Sequence, residues 1–193
     1  MTTMLPTRRW TRTEYEQLIG LGVLKPEEHV ELLDGALVVR EPRLMAHAAA
    51  VRAVHGALRA VFGPEWQIHS QRPVALDADS EPEPDVAVVP GSHGSRFLHP
   101  SRPVLVVEVV EAAVAARRVK GGLYARAAVE ELWIVNLVDE VLEVYRRPDF
   151  SRLARFRWVY ADTQGLRRGD VVAPLAARDA RVSVADLFGS EPP

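Results

Sequence analysis

Two hydrophobic periods alternate along this chain, and the points where one gives way to the other mark its elements. TRTEYEQLIG (11–20) has a Thr at its start and glutamates in the first turn, which predicts a capped helix ended by Gly20 and Gly22. In HVELLDGALVVRE (29–41) two apolar runs flank Asp34-Gly35, a hairpin signal because both residues tolerate positive φ. LMAHAAAVRAVHGALRAVF (44–62) repeats its apolar residues at helical spacing up to the stop at Gly63-Pro64. WQIHSQRPVAL (66–76) has strand character, and the proline-bearing DADSEPEP (77–84) is a loop. PDVAVV (84–89) predicts the next strand, followed by a long Gly-, Ser- and Pro-rich loop over 90–103. VLVVEVV (104–110) is apolar at nearly every position, as a central strand buried on both faces would be. EAAVAARRVKGGLYARAAV (111–129) predicts a helix interrupted or kinked at Gly121-Gly122. ELWIVNLV (131–138) and EVLEVYRR (140–147) read as strands joined by a tight turn at 138–140. FRWVYA (156–161) and DVVAP (170–174) add short β elements, and VSVADLF (182–188) predicts a short terminal helix capped by Ser183.

From residue 44 to 138 the order is helix, three strands, helix, strand. The final strand-helix-strand step implies a right-handed parallel crossover, while hairpins and loops join the other strands. The expected fold is therefore an α/β core with a mixed sheet, an N-terminal hairpin and antiparallel additions at the C-terminus. A chain of 193 residues without an internal repeat is read as a single domain, 1–193.

Composition narrows the setting. No apolar run approaches the roughly 20 residues of a membrane helix, and the opening MTTMLPTRRWTRTEYEQ lacks a signal-peptide core, so a cytoplasmic protein is expected. With no cysteine, disulfides and thiolate metal sites are excluded. The net charge of −2 advertises no global attraction to nucleic acid. Positive charge is nonetheless clustered, at Arg8, Arg9 and Arg12, at Arg117, Arg118, Lys120 and Arg126, and at Arg146, Arg147, Arg152, Arg155 and Arg157. Each cluster taken alone reads as a solvated face. Only Lys25 and Lys120 are lysines, which draws attention to the one that follows the acidic strand.

The candidate chemistry lies between Pro84 and Lys120. A lone carboxylate inside VLVVEVV costs several kcal/mol unless it is paired. Asp85, at the start of the preceding strand, could share a cation with Glu108. Two carboxylates with open positions suit Mg²⁺ or Mn²⁺ rather than Zn²⁺. Such an ion acidifies a bound water and stabilises charge on a phosphoryl oxygen. Lys120, one or two helical turns beyond the strand, could position or deprotonate the attacking water, or offset the developing negative charge. Plainer readings stand beside this one: Pro-Asp as a turn, Glu108 on an edge strand, Lys120 solvated. Glu31 fits an exposed strand position as well as a site. His47 and His55 lie too far apart along their helix to chelate one ion, and read as ordinary helix residues.

In VELLDG (30–35), His47, QRPVAL (71–76), EPEPDVAVV (81–89), VLVVEVV (104–110) and KGGLYARAAVEELWIVN (120–136), the chain resembles the PD-(D/E)XK nuclease superfamily, and within it the Uma family of restriction-like endonucleases, over roughly residues 8–147. The resemblance implies an α-β-β-β-α-β restriction endonuclease-like core. It implies Asp85 as the PD aspartate and Glu108 as the acid of the (D/E)XK strand. Val110 occupies the usual lysine position, and the resemblance places the lysine on the following helix, at Lys120. Glu31 matches an upstream glutamate able to serve a second metal or an outer shell. Gln71 matches a glutamine facing the site from the strand before the PD motif, and the carbonyl of Val109 a further metal ligand. Glu111-Ala112-Ala113-Val114 stands where relatives carry a Ser-Pro-Ser-like turn, and Ala116 where they often carry Asp.

The implied function is a Mg²⁺- or Mn²⁺-dependent endonuclease that hydrolyses phosphodiester bonds in DNA. It would act as a homodimer, since two cuts in a duplex need two sites and one chain offers one. The alternatives are a non-cleaving descendant of the same fold that binds DNA or a protein, and a structural protein with buried, paired acids.

Overall fold

A computed structural model describes residues 7–40, 44–91, 102–111 and 114–189. The first helix, α1 (Arg12–Gly20), starts in a capping box: Thr11 Oγ1 accepts the Glu14 N–H at 3.3 Å, and the Glu14 carboxylate accepts the Thr11 N–H at 2.9 Å. Strands β1 (Val30–Leu33) and β2 (Ala36–Val39) form the predicted hairpin. Its turn needs positive φ at both positions, 50° at Asp34 and 75° at Gly35. Helix α2 (Met45–Val61) buries one stripe, including Ala50, Val51, Val54 and Leu58, against the sheet.

Six strands make the main sheet in sequential order: β3 (Trp66–Ser70), β4 (Val86–Pro90), β5 (Leu105–Val110), β6 (Glu131–Asn136), β7 (Val141–Phe150) and β8 (Trp158–Leu166). Every neighbouring pair is antiparallel except β5 and β6, which run parallel around the crossover helix α3 (Val114–Arg126). This is the expected mixed α/β architecture. Strand alternation divides the core in two. Val107, Val109, Trp133 and Val135 face α2, whereas Val106, Val110, Leu132 and Ile134 face α3. Both central strands are buried along their whole length, which is why VLVVEVV shows no polar alternation. A small antiparallel pair, β9 (Val171–Val172) and β10 (Val182–Ser183), packs beside α2. Among the described residues, no helix is long and apolar enough to cross a membrane.

Three local expectations need correction. Strand character over 66–76 ends at Ser70. Pairing beyond it would need N–H donors from the segment before β4, where Pro82 and Pro84 have none. Gln71 instead turns away with φ 52°, its N–H bonded at 3.0 Å to the Asp85 carbonyl, and beyond it only isolated bonds link the two segments, from the Val74 N–H to the Pro82 carbonyl at 2.8 Å and from the Leu76 N–H to the Ser80 carbonyl at 3.1 Å. The terminal segment is not a capped helix. Val182–Ser183 join β9, and only a single 3₁₀ turn, Val184–Leu187, follows, with no side-chain cap from Ser183. Most of the loop expected over 90–103 lies outside the described residues.

Nor is α3 interrupted at Gly121-Gly122; it runs unbroken through the pair. The glycines are there for closeness. A Cβ on Gly121 would sit 2.9 Å from Leu132 Cδ2, and one on Gly122 would sit 2.9 Å from the Trp158 carbonyl oxygen. A backbone carbonyl has little room to yield, so Gly122→Ala is expected to push α3 off the sheet. Overpacking exceeds the helix-propensity gain of alanine, for a net loss of about 1–2 kcal/mol in urea denaturation.

Candidate functional site

The site forms where β5 ends against α3. Glu108 shares its strand face with Val106 and Val110, so its carboxylate points at α3. Lys120 and Tyr124, one turn apart on that helix, meet it. Lys120 Nζ lies 2.9 Å from Glu108 Oε1, and Tyr124 donates its hydroxyl to the same oxygen at 2.6 Å. The hairpin supplies the other acid: Glu31, on β1, has Oε1 at 3.0 Å from Lys120 Nζ, and that oxygen also accepts the Glu83 N–H at 2.9 Å. Arg40, from the end of the same hairpin, stands 4.0 Å from Glu31 and 2.7 Å from Glu83.

Asp85 enters from the residue before β4. Its Oδ2 accepts the Val109 N–H at 2.8 Å, which locks it beside Glu108. The same oxygen lies 3.2 Å from His47 Nε2 on α2. Arg117 approaches from the outer side, 3.9 Å from Glu108 Oε2. Glu31, His47, Asp85, Glu108, Lys120 and Tyr124 are all buried, whereas Arg117 is half-buried.

Burial presses the Lys120 ammonium toward neutrality, but the Glu108 and Glu31 carboxylates outweigh it and hold the pKa above its ordinary value. Burial, and then the Glu108 charge, keep Tyr124 protonated with a pKa well above 10.0. The Glu108 carboxylate raises Arg117 against the opposing effect of burial. Lysine and phenol are thus both fixed as donors around one glutamate.

The oxygens here are all hard donors. Glu108 Oε2 makes no hydrogen bond among the described residues. The N–H and C=O of a strand residue point to the same edge, so the Val109 carbonyl faces the side where its N–H meets Asp85. Among the described residues, no three His, Cys, Asp or Glu side chains converge as a ready metal cage. Two carboxylates, a backbone carbonyl and no soft ligand fit Mg²⁺ or Mn²⁺, which bind through one or two carboxylates and keep several waters.

Four of the predicted residues, Asp85, Glu108, Lys120 and Glu31, are therefore brought together with the Val109 backbone. Glu31 is not the exposed strand position its pattern also allowed. Gln71 is the exception: it lies past the end of β3 with an exposed side chain, and only its backbone touches the site, through Asp85. His47, which reads as an ordinary helix residue by spacing, faces Asp85. Tyr124 escaped notice and Arg117 reads as part of a solvated cluster, although their offsets of four and three residues from Lys120 place them on neighbouring helix positions. Glu111 takes a role of its own. Its carboxylate caps the start of α2, accepting the N–H groups of His47 and, at 3.3 Å, of Leu44. It thereby fixes the turn that carries His47.

The profile of one protein family, Uma2, described as "Putative restriction endonuclease", matches residues 12–181. Among solved structures, the fold superposes on that of a "putative nuclease belonging to DUF820" from Anabaena variabilis ATCC 29413. The TM-score is 0.69 at 16% identity, over 93% of this chain and 97% of that one. The type IIG restriction endonuclease BpuSI aligns over 74% of this chain and 14% of its own, at 15% identity and a TM-score of 0.38, too loose a superposition to bear on function. A search of curated proteins finds no match.

Proposed function

The chain belongs to the Uma2 family, whose description is "Putative restriction endonuclease", and on that premise we propose that it is a Mg²⁺- or Mn²⁺-dependent endonuclease that hydrolyses phosphodiester bonds in DNA. The observation that carries this reading is the buried constellation of Asp85, Glu108, Lys120, Glu31 and Tyr124 at the end of a central strand. Buried ion pairs add little stability over well-packed apolar residues. A cluster of them in one place is better accounted for by chemistry.

Asp85, Glu108 and the Val109 carbonyl would hold the ion. When bound, it supplies a Lewis acid for a phosphoryl oxygen and a water acidified toward hydroxide. Lys120, kept cationic by two carboxylates, is suited to offsetting negative charge on the phosphoryl group rather than to removing a proton. Tyr124 fixes Glu108 through Oε1 and leaves Oε2 facing outward toward Arg117. Glu31 is a positioning residue that acts through Lys120, and the Val109 N–H holds Asp85 in place. Arg117, at the outer rim, is placed to meet a phosphate oxygen. Cutting both strands of a duplex takes two such sites, so the working unit is a homodimer, acting on DNA in the cytoplasm.

The test is supercoiled plasmid incubated with Mg²⁺, with Mn²⁺ or with chelator. Nicked and linear products are expected with either ion and not with chelator, and Asp85→Asn is expected to form neither. Cleavage that survives the chelator, or that Asp85→Asn leaves at full rate, would overturn the reading. DNA binding without cleavage under any condition would favour a non-cleaving module of the same fold.

A further inference from the structure

The five arginines between 146 and 157 divide into two groups. Arg146 pairs with Glu131 at 2.6 Å and Arg147 with Asp162 at 3.1 Å. Arg152, Arg155 and Arg157 are exposed and have no carboxylate partner among the described residues. All three sit in the loop 151–157, which joins β7 to β8. Arg146 pairs with Glu131, the first residue of β6. Past that point β7 has β8 alone for a partner, through Pro148–Tyr160, Asp149–Val159 and Phe150–Trp158. The two strands therefore leave the sheet as a two-stranded ribbon with three arginines at its tip.

The ribbon is built to hold its shape. Phe150 and Trp158 meet edge to face with ring centroids 6.1 Å apart. The loop closes on its own backbone, through Ser151 N–H to the Arg157 carbonyl at 2.9 Å and Arg157 N–H to the Ala154 carbonyl at 3.0 Å. Leu153, at the tip, is 99% exposed. The outer end of the ribbon packs on α3, where Gly122 lies against the Trp158 carbonyl and Phe156. That helix also carries Lys120 and Tyr124, so ribbon and site lie on the same side of the sheet.

We propose that this arginine-tipped ribbon is a second DNA contact, which binds backbone phosphates of the duplex away from the bond being cut; it rests on the nuclease reading above. Placement supports it. Phe156 and Trp158, within and beside the arginine loop, lie against Gly122 on α3, two residues along that helix from Lys120, so a duplex seated at the site would carry its flanking phosphates past the arginines. Arg155 lies over the Phe156 ring at 5.3 Å, which leaves its N–H groups, like those of Arg152 and Arg157, without a carboxylate among the described residues and available for forked hydrogen bonds with phosphate, and a two-stranded ribbon matches the width of the major groove.

The experiment measures binding of a 30-base-pair duplex by fluorescence anisotropy, with Ca²⁺ in place of Mg²⁺, across a KCl series. Wild type is compared with R152A/R155A/R157A and R152K/R155K/R157K. Each phosphate contact contributes about 0.9 to the slope of log K against log salt. The alanine variant is expected to lose two to three units of slope and roughly 10²-fold in affinity at 0.1 M salt. The lysine variant is expected to keep the slope. Hydrolysis of a p-nitrophenyl phosphodiester, too small to reach the ribbon, should be equal in all three, and equal urea midpoints would show that the fold is intact. Duplex binding by wild type with an unchanged slope in the alanine variant overturns the ribbon proposal alone, and is also the result expected if the arm meets an acidic protein. No duplex binding by wild type overturns the nuclease reading and this proposal together.

Discussion

Glu108→Gln is expected to lower kcat for DNA cleavage by about three orders of magnitude or more while leaving the chain folded. Glutamine has the same length and keeps a carbonyl oxygen for the Tyr124 hydroxyl, which now bonds Oε1 at 2.6 Å, and for Lys120 at 2.9 Å. Lys120 still has Glu31 at 3.0 Å, so no charge is left buried without a counter-charge. What disappears is the negative charge on the oxygen pair beside Asp85. Charge stabilisation by a bound divalent ion is worth several kcal/mol in the transition state, and each 1.36 kcal/mol is a factor of ten in rate. About 4 kcal/mol therefore gives a thousandfold. Two measurements check it: the initial rate of plasmid nicking, and calorimetric titration with Mn²⁺. Both signals should fall together in the variant, with the free energy of unfolding in urea within about 1 kcal/mol of wild type. A variant that cuts at the wild-type rate would place the chemistry elsewhere in the molecule.

That Glu108 could be singled out at all follows from the contrast with its surroundings. An acid in the middle of a run of valines has few explanations, and the run itself announces a strand buried on both faces. Asp85 was legible for a similar reason, as an acid at the mouth of the neighbouring apolar run. The parallel step between β5 and β6 followed from strand-helix-strand order. Other features lacked such a contrast. Tyr124 lies on the apolar stripe of α3, where a buried aromatic residue looks like packing until its hydroxyl is seen on Glu108. His47 has no partner close in sequence; its neighbour Asp85 arrives only when β4 is laid beside α2. Glu111 caps a helix that begins more than sixty residues earlier, a contact no local pattern encodes. At Gly121-Gly122 a local rule pointed the wrong way. Glycine weakens an isolated helix, but here the helix is held against Leu132 and Trp158, and the missing side chains allow that approach. Gln71 fails for the opposite reason: regular strand pairing stops at Ser70, and with positive φ at Gln71 its side chain is exposed. The arginines of the β7–β8 tip were visible as a cluster, but their separation from Arg146 and Arg147 depends on which of them find acids across the sheet.

Lys120→Met tests the other half of the constellation, and its largest expected effect is on stability. Methionine nearly matches the lysine stem in length and shape, so packing around Leu123 and Tyr124 should change little. Removal of the ammonium leaves Glu31 and Glu108 buried without the cation that lies within 3.0 Å of both. The remaining cations are more distant, with Arg117 at 3.9 Å from Glu108 and Arg40 at 4.0 Å from Glu31. Breaking a buried pair by deleting one partner costs about 3–5 kcal/mol, because the surviving charge stays desolvated. Urea denaturation at pH 7 should show a loss of that order. The pH dependence has a defined sign. The Lys120 pKa is raised in the folded chain above its ordinary 10.5. Its contribution is therefore fully present below pH 10.5 and is lost as pH rises through the folded value. The gap between wild type and variant should hold constant from pH 7 to 9 and narrow only above about 10.5. Divalent ions provide a separate check. A cation bound between carboxylates that have lost their lysine stabilises the folded state by mass action, so Mg²⁺ should raise the midpoint of Lys120→Met more than that of wild type. Equal stability of variant and wild type at pH 7 would mean that the two glutamates do not depend on Lys120. A gap that closes well below pH 10 would assign the pH dependence to another group. Cleavage should fall by 10²–10³ as well, the usual effect of removing one donor aimed at transition-state charge. Added Mg²⁺ should restore the fold without restoring that rate, because the ion can replace the lysine as a counter-charge but not as a second positive group facing the phosphate.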